Sequence, residues 1–266
     1  SIGRGYITVA DPKPDARAKT PYDRGRHSKL ADKAANVLAA GAARILLNPV
    51  AHKVLNTLYF MKKGKGGSQQ QEMVDFFFHA DKLPKWYGAF GKKGMYQFEC
   101  VVPPKAAEKL IPKLLQTANN HGVYPLRANM YLQSEKAGEG DLSFSMPGVA
   151  LSLDFSGQNS RKVKDTLRKL TDMVVASGGR LNLLKDATLR PEQFQLMYPK
   201  FQDFVSTKKD WDPNTRFQSC MFARLMARDV LKNVRAIRNA EHKRAKQAQT
   251  AQPTAKAPQP QARKVA

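Results

Sequence analysis

Hydrophobic positions recur with two different periods between residues 94 and 184. Every second residue is apolar in four short segments, which is typical of strands whose side chains alternate between two faces. Two longer segments have apolar residues three and four apart, which is typical of amphipathic helices. The predicted strands cover residues 94–102, 123–133, 149–155 and 180–184, and the predicted helices cover residues 107–118 and 163–174.

The order of these elements is β-α-β-β-α-β. This order predicts an α+β fold, namely a ferredoxin-like antiparallel sheet with both helices on one face. Because the helices must cover the apolar side of the strands, the opposite side should carry a polar face formed by Glu99, Arg127, Asn129, Tyr131, Ser152 and Asn182. Such a polar face either meets solvent or binds a ligand, and the alternating pattern is compatible with both.

The chain divides into four predicted regions. Residues 1–66 form a basic linker and helical entry segment, and residues 67–185 form the ferredoxin-like domain. Within that domain, an aromatic strand at 73–79 precedes the β-α-β-β-α-β elements. Residues 186–238 form a C-terminal helical segment that starts with an amphipathic helix at 191–207. Residues 239–266 are rich in Ala, Gln, Pro and Lys and contain almost no large apolar side chain, so we expect a disordered basic tail.

Charge is concentrated at the two ends of the chain. The 266 residues carry a formal charge of +23, of which residues 1–66 contribute +9 and residues 228–266 contribute +8. Basic ends of this kind bind nucleic acid or an anionic membrane, or only keep a protein in solution. No apolar run approaches the ~20 residues of a membrane span. We therefore expect a cytoplasmic protein, with peripheral contact at the inner membrane face as a further option.

Cysteine and histidine usage argues against metal chemistry. Cys100 and Cys220 are far apart and belong to no CxxC pair, and the five histidines lack the spacing of metal ligands. The sequence therefore predicts a reducing compartment and no metal site.

Several motifs in collinear order resemble one family. They are GRGYITVAD at 3–11, LYFMKK at 58–63, FFFH at 76–79, YQFECVVP at 96–103, LSFSMPGVALSLDF at 142–155, GGRLNLLKD at 178–186, PEQFQLMYP at 191–199 and DPNTRFQS at 212–219. On these residues the chain resembles the FAD-linked oxidases of the vanillyl-alcohol-oxidase superfamily, and within it the decaprenylphosphoryl-ribose, sugar-lactone and alditol oxidases.

The resemblance implies a substrate-binding cap whose sheet lies over a flavin, followed by a segment that packs on an FAD domain. Lys185 is then the catalytic residue at the flavin edge, with pairing to a carboxylate as the alternative role. Lys185 and Asn182 are the implied FAD contacts. The implied substrate-binding residues are Phe78, Glu99, Tyr131, Ser152 and Asn182.

The resemblance also implies how the enzyme is divided. The Gly-rich loops that hold the FAD diphosphate in this family are not in these 266 residues. FAD is therefore expected to be bound mainly by a domain outside them, in the same polypeptide or in a separate chain. The ribose oxidases have Gln, Cys, Tyr and Tyr where this chain has Glu99, Ser152, Phe78 and Asn182. These differences disfavour a lipid-linked sugar, so the expected reaction oxidises a CH–OH group of a small sugar or alditol-like substrate.

The competing hypothesis is a non-catalytic interaction or RNA-binding module. A β-α-β-β-α-β sheet with a basic balance also describes RNA-recognition domains. Those domains stack bases on aromatic side chains of the exposed face, where the third strand here has Ala150, Ser152 and Asp154. The oxidase hypothesis is therefore favoured, and nucleic acid is not an expected partner.

Overall fold

The structure is a computed structural model that describes residues 7–11, 41, 48–63, 67–68, 70–73, 76, 86–133, 138 and 140–227. Phe78, the predicted tail at 239–266 and most of the predicted entry segment lie outside the described residues. The chain separates into two compact units, residues 1–199 and residues 200–266. The four predicted regions of the chain stay a prediction.

The first unit contains one antiparallel sheet of four strands. The strands are β1 (Met95–Val102), β2 (Pro125–Gln133), β3 (Gly148–Ser156) and β4 (Arg180–Leu181), in the spatial order β2-β3-β1-β4. In the register of the sheet, Ser152 on β3 lies opposite both Glu99 on β1 and Asn129 on β2. The predicted α+β class is confirmed, and the connectivity is that of a split βαβ unit.

Three helices whose bounds lie within the described residues precede or join the strands. Helix α1 is Pro49–Lys63, helix α2 (Pro104–Asn120) joins β1 to β2, and helix α3 (Ser160–Ala176) joins β3 to β4. Asn159 begins α3 because its side chain accepts a hydrogen bond from the backbone N–H of Lys162 at 3.3 Å. Helix α2 ends at Asn120, and Gly122 follows with a φ of 60°, which suits a residue without a side chain.

Helices α2 and α3 cover the apolar side of the sheet, as predicted. Removing these side chains from water supplies the main driving force for folding of the unit. The core formed between the helices and the sheet contains Phe98, Cys100, Leu114, Ala118, Leu151, Leu153, Phe155, Val163, Leu167 and Leu170, each at most 4% exposed.

The fourth strand is shorter than predicted. It ends at Leu181, and residues 183–185 form a turn of 3-10 helix instead of continuing the strand. The turn forms because the side chain of Asn182 accepts the backbone N–H of Leu184 at 3.0 Å, which competes with strand pairing. Gly179, directly before β4, allows its close approach to β1, since a Cβ at this position would lie 2.7 Å from the carbonyl oxygen of Val101.

The predicted helix at 191–207 is wrong as a single element. The chain forms helix α4 (Pro191–Met197) and, in the second unit, helix α5 (Phe201–Trp211). The interruption has a local cause, because the residue before a proline avoids helical dihedral angles. Tyr198, which precedes Pro199, has φ −123° and ψ 80°. A final short helix, α6 (Cys220–Leu225), follows in the second unit.

The predicted aromatic strand at 73–79 is also wrong where the chain is described. Met73 and Phe76 are helical, and the backbone N–H of Phe76 donates to the carbonyl of Glu72 at 3.0 Å, four residues earlier. That spacing is the hydrogen bond of an α-helical turn. No helix among the described residues is long and apolar enough to cross a membrane.

Candidate functional site

One buried carboxylate organises the polar face of the sheet. The hydroxyl of Tyr131 donates to Oε1 of Glu99 at 2.8 Å, and the side-chain amide of Asn182 donates to Oε2 at 2.5 Å. Nζ of Lys185 lies 3.2 Å from the same Oε2. We call these four residues the Glu99 cluster. It joins β1, β2 and the turn after β4, so three separate parts of the chain meet at one side chain.

The turn after β4 sets the position of Lys185. The backbone N–H of Asn182 donates to the carbonyl of Glu99 at 2.8 Å, which fixes the start of the turn against β1. The side-chain oxygen of Asn182 caps the turn, so its NH2 group is the part that points to the Glu99 carboxylate. One turn later, the backbone N–H of Lys185 donates to the carbonyl of Asn182 at 3.0 Å. This turn of the backbone places the side chain of Lys185 next to the Glu99 carboxylate.

Burial differs sharply within the Glu99 cluster. The side chain of Glu99 is 5% exposed, whereas that of Lys185 is 30% exposed. Burial, and next the hydrogen bond to the Glu99 carboxylate, raises the pKa of Tyr131 to about 12, so its hydroxyl stays a proton donor at neutral pH. A carboxylate has about four acceptor positions. Three donors contact Glu99, so these contacts use three of its acceptor positions.

A second charged pair lies on the same face of the sheet. Nε of Arg127 lies 2.6 Å from Oδ2 of Asp154, and the amide of Gln97 donates to Oδ1 of Asp154 at 3.0 Å. Asp154 is 1% exposed, so this pair replaces the hydration that its carboxylate loses. Sequence reasoning placed Arg127 on the polar face but did not pair it. The alternation of β1 and β3 puts Gln97 and Asp154 there as well, but only the register brings them together.

Arg180, on the edge strand β4, binds backbone groups of neighbouring segments. Its guanidinium donates to the carbonyls of Met197 and Ser143 at 2.8 and 2.6 Å, and it stacks 5.1 Å from the ring centre of Tyr198. A cavity of about 180 Å³ next to Arg180 is lined by Met146, Val175, Gly178, Gly179, Leu196, Met197 and Pro199. It contains none of the predicted site residues, so the polar face and not this cavity is the candidate site.

The structure brings together most of the residues that the sequence singled out. Glu99, Tyr131, Asn182 and Lys185 are in direct contact, and Ser152 lies opposite Glu99 in the sheet. Lys185 is paired with a carboxylate, as the alternative role requires, and its catalytic role stays a prediction. The contribution of Phe78 lies outside the described residues. Within the described ranges, no group of three His, Cys, Asp or Glu side chains is arranged to hold a metal ion.

The fold and the Glu99 cluster together define an α+β domain whose sheet carries two ion pairs on one face, and comparison with known proteins gives it a relative. No family model matches the chain. The chain is similar to decaprenylphosphoryl-beta-D-ribose oxidase of Mycolicibacterium smegmatis (strain ATCC 700084 / mc(2)155), with 26% identity over 227 residues. This alignment covers 85% of the chain and 47% of the relative.

A second similarity is shorter. Over 86 residues, 32% of this chain, it is 36% identical to the "Uncharacterized protein in mprA 5'region" of Streptomyces coelicolor, and covers 23% of that protein. The chain thus spans less than half the length of either relative. The similarity to an oxidase supports the resemblance to FAD-linked oxidases. The position of the chain as the C-terminal half of such an enzyme stays a prediction.

Proposed function

We propose that this chain is the substrate-binding part of an FAD-dependent oxidoreductase that oxidises a hydroxyl carbon of a sugar or alditol-like substrate. The observation that carries the proposal is the Glu99 cluster, in which a buried carboxylate, a lysine, a tyrosine and an amide converge on one side of the sheet. A stability requirement alone does not explain it, because burying an ion pair gains little over packing apolar side chains. Similarity to an oxidase over most of the chain points in the same direction.

The cluster has the groups that hydroxyl oxidation requires. Oxidation removes a hydride from carbon and a proton from the hydroxyl, and leaves a carbonyl. Glu99 is the proton acceptor in this proposal, since its carboxylate retains an acceptor position for the substrate hydroxyl. Asn182 and Tyr131 hold the carboxylate in place, which keeps the accepting oxygen in one orientation.

The residues present fit one edge of a flavin. Lys185 is the more exposed partner of its ion pair, so part of its side chain can be reached by a ligand while its ammonium contacts Glu99. With Asn182 it would contact the electron-rich edge of the ring, where a positive charge favours the reduced state. FAD, when bound, supplies the hydride acceptor at N5. Its remaining contacts belong to a domain outside the chain, on which the predicted C-terminal segment would pack.

Charge balance on the polar face suggests the class of substrate. Lys185 is paired with Glu99 and Arg127 is paired with Asp154, so each of these buried carboxylates has one cation beside it. A face balanced in this way offers hydrogen bonds rather than net charge to a ligand. We therefore propose an uncharged polyhydroxyl substrate. Carboxylate, amide and hydroxyl side chains bind the hydroxyl groups of such a molecule from several directions.

The first test is whether the protein carries flavin in its native context. The protein would be purified from its source, its absorbance spectrum recorded and the mass of every co-purifying chain measured. A flavin band together with a longer polypeptide or a second chain is the expected result. A colourless 266-residue protein without a partner would instead favour the interaction or RNA-binding module, to be tested with RNA oligonucleotides on the same preparation.

The second test addresses Lys185 in the flavin-loaded protein. Lys185→Ala should slow anaerobic flavin reduction by polyols at least about tenfold, or about 1.4 kcal/mol of barrier. Lys109→Ala is the matched control, because Lys109 is an exposed lysine of helix α2 on the other side of the sheet. Reduction rates that fall equally in both variants, or in neither, would remove Lys185 from the mechanism.

A further inference from the structure

Helix α1 presents its apolar side chains to solvent. At 100° per residue, six large apolar side chains of the helix fall within one half of its circumference. They are Val50, Val54, Leu55, Leu58, Tyr59 and Met61, and their exposed fractions range from 39% to 72%. A contiguous exposed apolar surface of this kind usually marks an interaction site.

The opposite half of the helix is mostly polar, apart from Phe60. Lys53, Asn56 and Thr57 occupy the opposite half of the circumference, and the hydroxyl of Thr57 donates to the carbonyl of Lys53 at 2.9 Å. The helix sequence, PVAHKVLNTLYFMKK, contains three lysines and no Asp or Glu. The whole chain carries a formal charge of +23. The expected partner is therefore negatively charged.

We propose that α1 is an interfacial helix that binds the surface of an anionic membrane, with its apolar half in the acyl chains and the opposite half, which carries Lys53, among the phosphate groups. An apolar stripe with a lysine-bearing polar side is the composition of helices that lie in the plane of a membrane. Lysine is depleted from protein–protein interfaces, which argues against a protein partner. The 15-residue helix is too short to span a bilayer, so binding is parallel to the surface.

Vesicle binding by the 266-residue chain tests this proposal directly. Co-sedimentation would compare phosphatidylcholine vesicles with vesicles containing about 30% phosphatidylglycerol, since anionic lipid attracts basic segments. Binding to the anionic vesicles and much weaker binding to the neutral ones is the expected result. The assay needs no flavin, so it stands or falls independently of the proposed oxidation.

Two glutamate variants separate the helix from the other basic parts of the chain. Leu58→Glu puts a charge into the apolar half, whereas Asn56→Glu makes the same change in charge on the polar half. Because Leu58 would be buried in the membrane, Leu58→Glu should weaken vesicle binding at least about tenfold more than Asn56→Glu does. Circular dichroism would check that both variants keep the helical content of the parent, which is expected because both side chains are exposed.

A gain-of-signal variant gives a second readout. Leu58→Trp should show blue-shifted emission on anionic vesicles after subtraction of the parent protein, because its indole would enter the acyl boundary. Absence of vesicle binding by the parent, equal effects of both glutamate variants, or an unshifted Leu58→Trp spectrum would each overturn the proposal. Sedimentation velocity that shows self-association lost in Leu58→Glu, with no lipid binding, would assign the apolar half to contacts between copies.

Discussion

Two carboxylates organise this molecule in opposite ways, one in each compact unit. Glu99 binds partners from distant parts of the sequence, with Tyr131 32 positions and Asn182 83 positions away. Asp212, in the second unit, binds residues that are close to it in the sequence. Lys208 lies four positions earlier, and the backbone N–H groups of Arg216 and Phe217 follow at 2.7 and 3.0 Å.

The difference separates a structural carboxylate from a functional candidate. Asp212 closes a turn at the end of α5, where its oxygens take the place of a backbone acceptor. The hydrogen bond from Lys208, followed by those from the two backbone N–H groups, lowers the pKa of Asp212 to about 2. Glu99 closes no turn, and its partners are side chains that the fold had to bring together. Such a cluster costs conformational entropy without shaping the local chain, which makes a chemical role the better explanation.

The largest expected effect is that of removing the cation beside Glu99. Lys185→Met leaves a buried carboxylate without its ion-pair partner, and should lower the free energy of unfolding by about 2 kcal/mol, less than for a fully buried pair because Lys185 is partly exposed. Urea unfolding at pH 7 measures this. Adding Glu99→Gln removes the stranded charge and should restore most of the loss. A double variant less stable than Lys185→Met would show that the pair is not the cause.

The next effect is that of the tyrosine hydroxyl. Tyr131→Phe removes a hydrogen bond to Glu99 and should cost about 1 kcal/mol at neutral pH, because the residue is partly exposed. Since the pKa of Tyr131 is raised from 10 to about 12, the folded state holds this proton more tightly than the unfolded state. The stability that Tyr131 contributes is therefore present below pH 10 and is lost as the pH rises towards 12.

Unfolding midpoints at pH 9 and pH 11 test the direction of this pH dependence. The difference between parent and Tyr131→Phe should shrink at the higher pH, and removing Tyr131 should leave the tyrosine ionisation near pH 10 at 295 nm unchanged. A difference that grows with pH would contradict the assigned donor.

The smallest effect on the sheet is expected from Asp212→Asn. The loss of stability in this variant should be confined to the turn at 212–217, because all the hydrogen-bond partners of Asp212 named above lie within five residues. Asp212 contributes stability above its ordinary pKa of 3.8, and the contribution disappears as the pH falls towards 2. Amide exchange at Arg216 and Phe217 should lose protection over that window in the parent and show little pH dependence in the variant. Equal loss of protection in β1 would show that the turn is not a local structure.

Prediction from the sequence succeeded where the hydrophobic positions are periodic along a whole segment. The alternation in β1 and β3 and the helical spacing in α2 and α3 predict their elements, because burial of one face is repeated along each segment. The failures were local in origin. Pro199 interrupts the helix predicted at 191–207, and the side chain of Asn182 ends β4 early.

By itself, the sequence determined the α+β class and the residues that share the polar face, since side-chain alternation follows from backbone geometry. Only the tertiary structure decided that Tyr131, Asn182 and Lys185 all meet on Glu99, and that Arg127 pairs with Asp154. Those contacts depend on strand order and register, which set the partner of each residue across the sheet. The alternating pattern of a strand predicts which face of the sheet a side chain occupies. It does not predict the contact partner of that side chain, because the partner lies on another strand.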